Sequence, residues 1–136
     1  MKNLSMSMFA FMAYMFAACN TEAQQNKPVV SPNKPTIEVI QFHSEHRCVS
    51  CLAIEKFTKK TLADHFPAIP FTLVNADDKK NAKKAELFEA TGTALFLYNP
   101  STGRKKDLTE FAFMKAGDEK KFEAELKKYI EDFIKG

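Results

Sequence analysis

Hydrophobic and polar positions along the chain follow two periods, that of strands and that of helices. Three short apolar runs rich in β-branched and aromatic residues predict strands at 36–42, 71–75 and 94–98. The Asn-Pro-Ser-Thr-Gly segment at 99–103 predicts a turn, after which the chain returns as an antiparallel strand that ends near Met114. The pattern therefore predicts four strands, of which the last two form a hairpin.

Segments with helical spacing lie between and after these strands. A first helix is predicted at 49–65, where Pro67 ends it, and a second at 79–90. Asp118 is the predicted cap of a last helix. The apolar positions of that helix form one stripe, which consists of Phe122, Leu126, Tyr129, Ile130, Phe133 and Ile134. The order β-α-β-α-β-β-α indicates a single α/β domain with a central mixed sheet and flanking helices.

The N-terminal segment predicts export and attachment to a membrane. Residues 1–18 combine a positive Lys2 with an apolar stretch shorter than the ~20 residues of a transmembrane helix, which predicts a cleaved signal peptide. The signal ends in two alanines followed by Cys19, which resembles the lipobox of bacterial lipoproteins. Acylation of Cys19 would anchor the protein to membrane lipid. An ordinary signal cut near Ala18, with Cys19 unmodified, is the alternative.

Polar residues and three prolines dominate the next segment, residues 19–35. Such a composition cannot bury enough apolar area to fold, so we expect a flexible tether, with residues 36–136 as the folded domain. Together these features predict an extracytoplasmic, membrane-anchored protein on the periplasmic side of a bacterial envelope.

Charge and composition exclude some functions. The 20 basic and 17 acidic side chains give a net charge of +3, and they are too evenly interspersed to indicate a nucleic acid partner. The chain has no glycine-rich phosphate-binding loop, so we expect no flavin or nicotinamide cofactor on it.

The candidate chemistry lies in a Cys-x-x-Cys motif between the first strand and the first helix. Lipidation of Cys19 leaves Cys48 and Cys51 as a pair. At the start of a helix, the unpaired backbone N–H groups and the helix dipole stabilise a thiolate, so we predict a lowered thiol pKa for Cys48, the attacking nucleophile. Cys51, one turn further on, is the predicted resolving cysteine, which closes a disulfide with Cys48 after a mixed disulfide forms.

Neighbouring side chains are predicted to support this chemistry. Arg47, and His46 when protonated, would stabilise the Cys48 thiolate, and Glu45 and His46 are candidates for proton transfer to Cys51. Two alternatives remain open, a static disulfide and a metal site. The metal alternative, for copper, zinc or trivalent arsenic, rests on four nitrogen or sulfur donors within nine residues, which are His43, His46, Cys48 and Cys51.

The element order and the Cys48-Val49-Ser50-Cys51 motif resemble the thioredoxin superfamily across residues 36–136. More narrowly, the lipoprotein signal, the Phe-His end of the first strand, the His-Arg-Cys-x-x-Cys stretch and the Gly-x-Ala-Leu segment at 92–95 resemble thioredoxin-like lipoproteins of Bacteroidetes type. These are the nitrophenyl compound nitroreductase subunit ArsF family.

This resemblance implies a thioredoxin-like fold and a thiol-disulfide oxidoreductase that passes electrons through its dithiol. It also implies a partner reductase subunit and a membrane-embedded dithiol electron donor or permease, in a system that reduces nitroaromatic compounds or handles arsenicals. A metal-binding or arsenic-binding protein and an adaptor with a structural disulfide are the alternative functions.

The chain departs from the thioredoxin pattern at several positions. Arg47 replaces the tryptophan before the motif, and Gln41 or Phe42 occupies the region of a buried acid, which leaves proton transfer to Cys51 unassigned. Where the superfamily has a cis-proline facing the dithiol, this chain has Thr93 followed by alanine. A cis bond without proline costs ~3 kcal/mol, so we expect a trans bond there.

Overall fold

The computed structural model describes residues 37–136 of the chain. The predicted signal at 1–18, the predicted anchor Cys19 and the predicted tether at 19–35 lie outside the described residues. The elements are β1 (Glu38–His43), α1 (Val49–His65), β2 (Phe71–Asn75), a 3₁₀ helix (Lys79–Asn81), α2 (Ala82–Leu87), β3 (Ala94–Tyr98), β4 (Lys105–Asp107), α3 (Thr109–Lys115) and α4 (Glu119–Lys135). None of the helices in this part of the chain combines the length and apolar character that crossing a bilayer requires.

The four strands form one mixed sheet in the order β2-β1-β3-β4. β1 pairs in parallel with β2, and α1 is the crossover that such a parallel connection requires. β1 pairs antiparallel with β3, which places Phe42 opposite Ala94, and β4 continues antiparallel to β3. The predicted α/β class, with a central mixed sheet and flanking helices in a single domain, is confirmed.

Each face of the sheet carries its own core, because successive side chains of β1 point to opposite sides. On one face Val39 packs with residues of α1, α3 and α4. On the other face Ile40 and Phe42 pack with Ala85 of α2 and with Phe88. Helices therefore enclose the sheet on both sides, and the buried strand β1 fixes the position at which the chain enters α1.

The C-terminal helix, α4, packs against α1 in the core on one face of the sheet. Asp118 caps α4 as predicted, since its Oδ1 accepts a hydrogen bond from the Lys121 backbone N–H at 3.1 Å. Tyr129 is half-buried and Ile134, at the end of the predicted stripe, is exposed. The buried positions of the stripe are Phe122, Leu126, Ile130 and Phe133. The buried stripe is therefore narrower than the sequence pattern.

The predicted fourth strand, which was to end near Met114, is wrong beyond Asp107, where β4 ends and α3 follows. Leu108, Phe111 and Ala112 explain the difference, because all three are buried and their spacing of three and four residues places them on one face of a helix. A strand would have turned Phe111 to the face opposite that of Leu108 and Ala112.

The second predicted helix is also shorter than its sequence pattern. Lys79–Asn81 form a turn of 3₁₀ helix, and the α-helix covers Ala82–Leu87. It ends because Glu89 takes a left-handed backbone conformation with φ 54°. The Ala90 N–H then turns back to the Ala85 carbonyl at 2.9 Å, a common way to terminate a helix.

Candidate functional site

Cys48 and Cys51 are joined by a disulfide at the N-terminus of α1. Cys48 is the N-cap residue, and its Sγ accepts a hydrogen bond from the Cys51 backbone N–H at 3.2 Å. A sulfur in this place stands where an N-cap oxygen satisfies one of the free N–H groups of a helix. The same backbone donor and the helix dipole favour a negative charge on Cys48 when the bridge is open.

The two cysteines of the bridge differ in their access to solvent. Cys48 is exposed, whereas Cys51 is only 4% exposed because it lies on the face of α1 that packs on the sheet. A thiol of another molecule can therefore reach Cys48 and not Cys51. This asymmetry suits the predicted division of roles between a nucleophile and a resolving cysteine.

A buried amide of β1 lies beneath the bridge. Gln41 is fully buried, and its Nε2 donates a hydrogen bond to the Cys51 carbonyl at 3.0 Å. Its Oε1 has no hydrogen-bond partner among residues 37–136. Gln41 occupies the region in which the resemblance implies a buried acid, and an uncharged amide cannot take up the proton of a neighbouring thiol.

The loop before β3 brings a hydroxyl to the buried sulfur. Thr93 is half-buried, and its Oγ1 donates a hydrogen bond to Cys51 Sγ at 3.1 Å. The contact follows from the sheet, because pairing of Phe42 with Ala94 places the start of β3 beside the end of β1. The described residues contain no cis peptide bond, so the bond after Thr93 is trans as expected.

Arg47 forms an ion pair with Glu55, which the sequence did not indicate. Its Nη2 lies 2.5 Å from Glu55 Oε2, and Lys59 Nζ lies 2.5 Å from the other oxygen of Glu55. Burial raises the pKa of Glu55, but the contacts with Lys59 and Arg47 outweigh burial and hold this pKa below its usual range. Glu55 neutralises part of the positive charge of Arg47. Arg47 therefore stabilises a Cys48 thiolate less than an unpaired arginine would.

Replacing Glu55 with glutamine should destabilise the fold by about 1 kcal/mol at pH 7, the upper end of the range for exposed ion pairs, because the Glu55 side chain is only 16% exposed. The lowered pKa means that the carboxylate stabilises the fold above the ordinary glutamate pKa of 4.5. This contribution is lost as the pH falls through the lowered folded value. Urea unfolding at pH 7 and below pH 4 would measure it. Glu86→Gln, on an exposed position of α2, is the control, and an equal loss at both pH values would contradict the assignment.

The side chains of Glu45 and His46, the other predicted supporting residues, form no hydrogen bond with a cysteine sulfur among residues 37–136. Glu45 and His46 are exposed, and neither side chain forms a hydrogen bond with Cys51 in the described part of the chain. The Glu45 backbone N–H donates to Asp77 Oδ2 at 2.8 Å, which ties the loop to the end of β2. The Nδ1 atom of His43 lies 2.9 Å from the carbonyl oxygen of Ser44.

The alternative metal site is not assembled in this disulfide state. Within residues 37–136, no three side chains of His, Cys, Asp or Glu come together in a way that could hold a metal ion. The four donors considered from the sequence, His43, His46, Cys48 and Cys51, are therefore neighbours in the chain without forming a coordination shell.

No family model, curated protein or solved structure that was compared with the chain matches it. The site therefore has to be interpreted from its own geometry. That geometry is an accessible sulfur at a helix N-terminus, bonded to a buried sulfur that a hydroxyl contacts.

Proposed function

We propose that this chain is a thiol-disulfide oxidoreductase with a thioredoxin-like fold, in which Cys48 and Cys51 form the redox-active dithiol. One observation carries the proposal: the bridge joins Cys48, an exposed residue whose sulfur caps α1, to Cys51, a buried residue one turn further on. Exchange requires a sulfur that another molecule can reach, which Cys48 offers, and a second cysteine one turn away can close the ring and release the partner.

The sheet supports the thioredoxin-like part of the proposal. The resemblance implies a central mixed sheet with flanking helices, and the sheet is mixed, with β1 and β2 parallel and the last two strands antiparallel in the order β2-β1-β3-β4. The dithiol lies where β1 passes into α1, at the carboxyl end of a central strand, which is a usual place for a site in an α/β protein. α2 covers one face, while α1 and α4 cover the other.

The exchange takes place in two steps. The Cys48 thiolate attacks one sulfur of a partner disulfide, whose other sulfur leaves as a thiolate and takes a proton from solvent. The Cys51 thiol then loses its proton, and its thiolate attacks Cys48 Sγ. The bond between Cys48 and the partner breaks, the partner leaves as a dithiol, and the Cys48–Cys51 disulfide remains. Two electrons pass to the partner, and the reverse sequence oxidises it.

The proposed setting of this chemistry rests on the predictions for the N-terminal segment. Acylated Cys19 would hold the domain at the extracytoplasmic side of a bacterial membrane, and the predicted tether at 19–35 would let it reach a membrane-embedded dithiol donor and a partner reductase subunit. Any reduction of nitroaromatic compounds or arsenicals would then use a cofactor on the partner subunit, with this chain supplying electrons through its dithiol.

A redox titration tests the proposal. The full-length chain with Cys19→Ser would be equilibrated in detergent with thiol-disulfide buffers, and its free thiols counted by alkylation. We expect a reversible two-thiol transition above about −300 mV, the limit below which structural disulfides of secreted proteins lie. A further Cys48→Ser substitution is the control that cannot close the bridge.

Two results would contradict the proposed function. A bridge that stays closed below that limit would be a structural disulfide. Thiols that resist alkylation until a chelator is added would belong to a metal-binding protein.

A further inference from the structure

The buried sulfur has to carry a negative charge at some point in each exchange. When a thiol attacks Cys48, the electrons of the broken bond move to Cys51 Sγ, which lies in a position only 4% exposed. A buried charge without a hydrogen-bond donor is costly. The donors that face Cys51 Sγ therefore determine how readily the bridge opens.

Most polar groups around Cys51 are committed elsewhere. The Cys51 N–H donates to Cys48 Sγ, and Gln41 Nε2 donates to the Cys51 carbonyl. The remaining polar atom of Gln41 is Oε1, which only accepts hydrogen bonds and cannot stabilise a thiolate. The exposed side chains of Glu45 and His46 make no hydrogen bond with this sulfur in the described part of the chain.

The hydroxyl of Thr93 is the donor that the structure does place on Cys51 Sγ, at 3.1 Å. We propose that Thr93 is a catalytic residue of the exchange, whose hydroxyl stabilises the Cys51 thiolate each time the bridge opens or closes. This inference rests on the proposed function, since it concerns one step of that exchange.

The step balances without another reactant. A partner thiolate forms a bond with Cys48 Sγ, the Cys48–Cys51 bond breaks, and the electron pair stays on Cys51 Sγ, to which the Thr93 O–H donates. The thiolate then takes a proton from solvent. On closing, the Cys51 thiol gives up that proton and its thiolate, held by the same hydroxyl, displaces the partner from Cys48.

Three variants of the full-length Cys19→Ser protein test this role. Thr93→Val keeps the shape of the side chain and removes the hydroxyl, while Thr93→Ser keeps the hydroxyl. Thr91→Val is the matched control, because Thr91 lies two residues earlier in the same loop and is exposed. The rate of bridge opening by dithiothreitol would be measured by rapid mixing and acid quenching, followed by alkylation.

We expect Thr93→Val to open about tenfold more slowly, since hydrogen bonds to charged groups are worth at least about one factor of ten. Thr93→Ser should remain within about threefold of the parent, and Thr91→Val should match it. Alkylation of reduced Cys48 by iodoacetamide should be the same in all four proteins. That readout separates loss of the hydroxyl from a general disturbance of the helix terminus.

The inference is overturned if Thr93→Val opens as fast as the parent, or if Thr93→Ser is as slow as Thr93→Val. It is also overturned if Cys48 alkylation slows in parallel with opening, which would indicate a structural effect. A parent protein whose bridge dithiothreitol does not open would instead refute the proposed function, and the inference with it. The behaviour of the parent therefore distinguishes the two failures.

Discussion

Replacing Cys51 with alanine should trap Cys48 in a mixed disulfide with glutathione that persists at least about a hundredfold longer than in the parent protein. In the proposed exchange, Cys51 of the parent resolves the adduct as an intramolecular nucleophile, and such groups act at effective concentrations far above those of dissolved thiols. Without Cys51, release requires a second glutathione molecule. Mass spectrometry of acid-quenched samples would follow the adduct over time, in a Cys19→Ser background.

Cys48→Ala is the matched control, because it leaves the buried thiol instead of the exposed one. Since Cys51 is shielded by the packing of α1 on the sheet, its adduct should form at least about tenfold more slowly. Equal adduct formation by the two variants would contradict the assignment of Cys48 as nucleophile, and no adduct in either would refute the proposed exchange chemistry.

Replacing Phe122 with alanine should destabilise the fold by about 3–5 kcal/mol. Phe122 is fully buried at the start of α4, and its ring centroid lies 5.6 Å from that of Phe57 and 5.1 Å from that of Phe111. The substitution removes contacts among three helices and leaves a cavity between them. Because small domains have only about 5–15 kcal/mol in total, the loss should be visible as a large fall in the urea midpoint.

Phe113→Ala provides the comparison, since Phe113 lies on α3 and is 42% exposed. It should cost less than about 1 kcal/mol, as substitutions away from the core usually do. A similar loss in the two variants would mean that α4 does not pack on α1 and α3 as described. The slope of the unfolding free energy against urea concentration should stay unchanged in both variants, so that the shift of the midpoint reports the change in stability.

Strong boundary signals explain which elements the sequence could locate. The helix at 49–65 and the strands at 71–75 and 94–98 have the predicted bounds, because prolines and glycine interrupt the pattern on their flanks. α3 was missed because Phe111 and Phe113 alternate as in a strand, whereas the core uses the helical spacing of Leu108 and Phe111. Both periods fit so short a segment, and tertiary packing selects between them.

The parts of the site that depend on sequence motifs were predictable, whereas the contacts that depend on where side chains lie in three dimensions were not. Cys48 and Cys51 follow from their spacing, and Thr93 from the resemblance. The hydrogen bond from Gln41 to a helix carbonyl requires knowledge of how α1 lies on β1. Glu55, two turns into α1, had no signal in the sequence because long charged side chains choose partners in three dimensions.

The outer strands of the sheet differ in what they offer to other molecules. β4 is three residues long, and its side chains, Lys105, Lys106 and Asp107, are all charged and exposed. Short, charged edge strands oppose the addition of a strand from another chain. β2, at the other edge, has no charged residue and exposes Leu73. Aggregation by strand addition is therefore blocked at β4, and β2 is the edge that resists it least.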